Sequence, residues 1–132
     1  MWRELEAFAE AYVGVPFAWG HNDCFVFVSR WALLRCGVDP RRLGVTRYRN
    51  QAEAYRRGRE AGFGTVASLM SAVLPETQSA TPGDIVLLDD AAHRIGALGI
   101  FIDSESSLTI SPDAGLCVSG AGYTRAWSCH GQ

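Results

Sequence analysis

Lysine is absent from this chain, and every one of its 12 Lys-or-Arg positions is an arginine. A GC-rich coding sequence would produce the same bias, so nothing functional is built on it. Also absent is any Cys-x-x-Cys: Cys24, Cys36, Cys117 and Cys129 are widely scattered, without the local signature of a zinc knuckle or a dithiol redox motif. A reduced compartment is the simpler expectation. Two disulfides or a thiolate cluster assembled by folding stay open, but no metal or cofactor is expected. No apolar run approaches the roughly 20 residues of a membrane span, so no membrane span is expected. The opening MWRELEAFAEAYV interrupts its apolar residues with acids, unlike the greasy core of a signal peptide, so no export signal is expected either.

What is present describes an ordinary globular protein. The 132 residues carry a formal charge of −2 and a hydrophobic content of 48%, enough for a single domain with one core, spanning 1–132. Charge is unevenly spread: residues 1–66 hold 10 Arg against 7 acids, and residues 67–132 hold 2 Arg against 7 acids. A basic face and an acidic face suggest a partner or neighbouring subunit, without the strongly basic footprint of a dedicated nucleic-acid binder.

Trp2, Leu5, Phe8, Ala9, Tyr12 and Val13 recur at helical spacing, which predicts an amphipathic helix over 2–13 before Gly14 and Pro16. Asn22 and Asp23 are candidate caps for a second helix, running from Cys24 to a stop at Gly37; it is apolar nearly all round and therefore expected at the centre. Between 39 and 64 the composition turns to Arg, Tyr and Gln, predicting an exposed helical insertion with Asn50 capping QAEAYRRGREAG. A short helix around Val66–Leu74 follows. The period then changes: GDIVLL and ALGIFID read as buried strands joined through DDAAHR, with weaker strand signals near Leu108, Leu116–Val118 and Thr124–Trp127. Helices first and strands afterwards predict an α+β domain with an antiparallel sheet.

Cys24 follows its candidate caps directly. The first turn of a helix favours a thiolate through exposed backbone N–H groups and the helix dipole, so this is where a nucleophilic cysteine would be placed. The competing reading is a small core residue, which is how most cysteines pack. Here PFAWGHNDCFVFVSRW, followed after a variable middle by PGDIVLL and ALGIFID, resembles the papain-like, NlpC-type superfamily of cell-wall cysteine peptidases. The family's elements are a Trp-Gly turn, an Asp-Cys opening a buried helix, a Pro-Gly-Asp strand and a His-x-Gly-Ile strand, the last matched here by Ala97-Leu98-Gly99-Ile100. The similarity covers about residues 8 to 103. RYRNQAEAYRRGREAG in the middle is similar to a branch encoded beside the tail genes of phages and gene-transfer particles. The resemblance implies a papain-like fold, N-terminal helices with the cysteine helix packed on the sheet, and a substrate groove at Trp19, Gly20, His21 and Asp23.

The same resemblance departs from the family at its base. Active members open the His-x-Gly-Ile strand with the histidine that deprotonates the cysteine, and Ala97 stands at that position here. Around Thr109 to Ser111, where the family orients its base, there is no His or Asn. His93, in DDAAHR, is the one substitute weighed, and it is four residues from Ala97, which requires a bulge or register shift. Its alternative is an exposed turn histidine. His21 is read as a loop residue that could contact a ligand, and His130 as a frayed terminal one. Asp84 is expected to form a turn, Asp23 a cap, and Trp19 either to line the groove or to pack beneath the loop.

Arg41–Arg59 holds seven of the arginines, interleaved with Tyr48 and Tyr55. A solvated face, with Glu53 and Arg57 paired at i, i+4, or a surface docking an acidic partner is preferred over stacking and phosphate contacts to nucleic acid. The family resemblance implies a phage tail-tip component, found in the virion tail or in the bacterial cytoplasm before assembly. Its expected partners are larger tail-tip or hub proteins and, if it cuts, peptidoglycan. Loss of hydrolysis is the preferred version, and an active peptidase or amidase using Cys24 the alternative. A nucleic-acid accessory protein comes third.

Overall fold

A computed structural model describes residues 2–89 and 97–130. It is an α+β domain with four α-helices preceding a six-stranded antiparallel sheet among the described residues. The helices are α1 (Trp2–Glu10), α2 (Cys24–Cys36), α3 (Gln51–Glu60) and α4 (Val66–Val73), with a 3-10 turn at Pro40–Leu43. The strands are β1 (Glu76–Thr77), β2 (Ile85–Leu88), β3 (Ala97–Asp103), β4 (Ser106–Ser111), β5 (Gly115–Ser119) and β6 (Tyr123–Trp127). Their spatial order is β1-β6-β2-β3-β4-β5, so the last strand returns to the middle of the sheet and lies between β1 and β2.

The central helix starts and stops where its flanking residues dictate. Asp23, extended at φ −123°, accepts the Val26 N–H at 2.8 Å, and Gly37 closes the helix in the left-handed region at φ 74°. Asn22 is not the cap; its side-chain amide donates to the carbonyls of Val15 and Pro16 and holds the preceding loop. The first two turns of α2 are buried, with Phe27, Val28 and Trp31 fully enclosed. The last turn emerges, since Leu34 is 64% exposed. The first helix is shorter than its periodicity suggests: it ends at Glu10 and turns, leaving Val13 exposed.

Strand alternation divides the sheet between two clusters. Ile85, Leu98, Ile100, Leu108, Ile110 and Trp127 join the main core beneath the helices. On the other face Val86, Leu88, Ala97, Phe101 and Ala126 form a smaller cluster, against which Tyr123 packs. Two indole N–H groups tie the layers together. Trp31 Nε1 donates to the Gly83 carbonyl at 2.8 Å, linking α2 to the Pro82-Gly83-Asp84 turn, and Trp127 Nε1 donates to Ser71 Oγ at 3.0 Å, linking β6 to α4.

Candidate functional site

Cys24 opens α2, and its surroundings are built by the caps and loops on either side. Asp23 is buried and its carboxylate is fully used: Oδ1 accepts from Val26 N, and Oδ2 accepts from Gly20 N at 2.8 Å and from the Tyr48 hydroxyl at 2.6 Å. Burial and then the Asp23 charge hold the Tyr48 hydroxyl protonated, well above the ordinary tyrosine range. One aspartate thus ties together the helix start, the Trp19-Gly20 turn and the loop leading to α3. Gly20 is required in that knot. It sits at φ 78°, and a Cβ there would run into the Tyr48 carbonyl oxygen.

The thiol itself is half-buried, and α3 lines the cavity beside it. Burial pushes the Cys24 thiol up to about 11. The backbone N–H groups of Leu98, Phe25 and Cys24 face the sulfur and pull in the opposite direction, but they do not offset the lost solvation, and the adjacent Asp23 carboxylate adds to the upward push. At neutral pH Cys24 is therefore a neutral thiol, and the helix-start effect that motivated its selection is outweighed.

A cavity of about 150 Å³ adjoins the sulfur, lined by Phe17, Trp19, Tyr48, Tyr55, Phe63 and Leu98, among others. Trp19 lines it and also stacks edge-on against Phe17 at 4.9 Å, so both roles open to it are realised. Asp23 borders the cavity as well as capping the helix, while Gly20 serves the loop. His21 is exposed, its N–H closing the turn to the Ala18 carbonyl. Among the described residues no imidazole lines the cavity. His93 lies outside the described residues.

Ala97 borders the cavity, yet packs in the cluster on the opposite face of the sheet, while Leu98 turns toward α2. Thr109, near the family's orienting position, donates its hydroxyl to the Leu98 carbonyl at 2.8 Å.

Other expectations are corrected by the contacts. His130 is held, not frayed: its Nε2 lies 3.4 Å from Asp84 Oδ1 and 3.3 Å from Thr81 Oγ1. Asp84 forms its turn, and being buried it also accepts the Thr81 and Cys129 N–H groups, pinning the segment after β6. Glu53 pairs with Arg49, not Arg57, which pairs with Glu60. Tyr48 is buried outright and not an exposed stacking platform. Missed altogether were the Tyr48–Asp23 bond and a close thiol pair, Cys36 and Cys129, whose sulfurs are 3.6 Å apart.

A family model described as a domain of unknown function, DUF6950, matches residues 1–129. The chain belongs to this family. No curated protein matches it. The match covers every element of the DUF6950 fold seen here, from α1 through β6, and so includes both Cys24 and the insertion beside it. Among the described residues of this DUF6950 chain no cluster of three His, Cys, Asp or Glu side chains could hold a metal ion, and no helix is long and apolar enough to cross a membrane.

Proposed function

We propose that this chain is a papain-like, NlpC-type domain in which hydrolysis has weakened or been lost, serving as a structural or binding module of a phage tail tip docked on a larger tail or hub protein. The observation that carries the reading is the state of Cys24: a neutral thiol beside a carboxylate, in a cavity bordered by Ala97 where the family resemblance calls for a base. Removing the base from a nucleophile-base pair typically costs several orders of magnitude in rate. The order of elements supports the ancestry, with the cysteine helix packed on an antiparallel sheet after an N-terminal helix. The tail-tip assignment rests on the resemblance of the arginine-rich middle, and places the protein in the virion tail or, before assembly, in the cytoplasm.

One observation favours the second reading, an active peptidase or amidase on peptidoglycan stem peptides. Cys24 and Phe25 open the helix, and their amides, with that of Leu98, favour the thiolate and so could also favour an oxyanion there. With purified peptidoglycan, the expected result is no release of soluble peptides above a Cys24→Ala control. Cys24-dependent release would overturn the non-hydrolytic reading and leave the fold proposal standing.

A further inference from the structure

The cavity beside Cys24 has a polar inventory that restricts what it can hold. It is half-open to solvent, and its volume, about 150 Å³, is enough to admit a benzene-sized molecule. Phe63, Leu69, Leu98 and Ile110 contribute aliphatic and aromatic walls. The one carboxylate on its border, Asp23, is consumed by three donors, and the Tyr48 hydroxyl is consumed by Asp23. The Thr65 hydroxyl caps α4 by accepting from Ser68 N, and Gln51 is exposed. The Cys24 thiol and the Trp19 indole N–H remain, and with them the Tyr55 hydroxyl of α3, whose oxygen is shielded from solvent and has no hydrogen-bond partner among the described residues. A buried hydroxyl without a partner loses the hydrogen bonds it had in water, a cost that a ligand bonded to it would relieve.

We propose that this cavity is a binding site for a small neutral molecule of about ring size, largely apolar, carrying one hydroxyl or carbonyl that hydrogen-bonds the Tyr55 hydroxyl. A charged ligand would find no free counter-charge in it. The site follows from the cavity and its polar groups alone and does not rest on the papain-like reading, so its failure and a failure in the peptidoglycan assay are separate results.

The test uses phenol, toluene, benzoate and benzylammonium as probes of the full chain, with binding followed by saturation-transfer NMR and affinities by titration. Phenol and toluene should bind in the millimolar range or tighter, and should slow modification of Cys24 by methyl methanethiosulfonate, while the two ions should do neither. Tyr55→Phe removes only an unpartnered hydroxyl and so should fold normally. It should weaken phenol by about 2- to 12-fold, the worth of one neutral hydrogen bond, and leave toluene unchanged. Failure of both neutral probes to bind, equal binding of benzoate or benzylammonium, or a Tyr55→Phe protein that binds phenol as well as the parent would each overturn the proposal.

Discussion

Asp23 shows how a single side chain can be mistaken for a local feature. Its sequence neighbours announce a helix cap, which it is, but the other oxygen reaches a turn and, 25 positions on, a tyrosine. Asp23→Ala therefore removes more than a cap worth about 1 kcal/mol, because it also leaves the Tyr48 hydroxyl and the Gly20 amide without an acceptor. We expect a loss of about 2–4 kcal/mol in urea unfolding, against about 1–2 kcal/mol for Tyr48→Phe, and less than the sum for the double variant because the two share one bond. The cap was legible because Asn-Asp before an apolar run is a short-range pattern. The tyrosine partner was not, because no spacing within the sequence encodes a contact between a helix start and a distant loop.

Elements were legible wherever a periodic apolar pattern met a clear stop. The second helix, bounded by Asp23 and Gly37, and the shift from helical to alternating patterning at Ile85 are both present as expected. The two-residue strand β1 is too short to carry a pattern, and the return of β6 to pair with β2 and β1 is a long-range choice made by packing. That return also brings Cys129, just past β6, against Cys36 at the end of α2, with the sulfurs 3.6 Å apart. Burial, then the neighbouring Cys36, push the Cys129 thiol up, so Cys129 is held as a neutral thiol and is slow to react at neutral pH. Treatment with diamide at pH 8.5 or above should convert this pair to an intramolecular disulfide, with the two thiols giving up two protons and two electrons to the diazene. Non-reducing peptide mapping should recover the Cys36–Cys129 link in preference to any link through Cys24 or Cys117; a dominant link through either of those would contradict the packing described.

At the scale of the whole molecule, ion pairs offset part of the charge asymmetry in the sequence. Arg41 is bound by Asp39, Arg49 by Glu53, and Arg56 and Arg57 by Glu60, all within the insertion itself. Salt-dependent DNA binding at about 50 mM salt is accordingly expected to be absent, as measured by fluorescence anisotropy with a labelled duplex. The insertion also contributes to the site, where α3 lines the cavity beside Cys24, a role that a solvated-face reading of its arginines could not reveal.

The buried thiol also leaves a mark on global stability. Its native pKa is raised, so the folded state holds a proton that the unfolded chain releases, and stability present below the unfolded value near 9 is lost as pH rises toward 11. Cys24→Ala should make the fall in stability between about pH 9 and 11 shallower, as read from urea midpoints; an unchanged slope would mean the thiol titrates normally.

The most direct measurement is the pH dependence of alkylation at Cys24, resolved by peptide mass spectrometry, in the parent protein and in His93→Ala. A neutral thiol without a partner base should react slowly at pH 7, gain reactivity only toward pH 11, and behave identically in the two proteins. Fast reaction at neutral pH that disappears in His93→Ala would contradict the account, and would make Cys24 and His93 a working nucleophile and base.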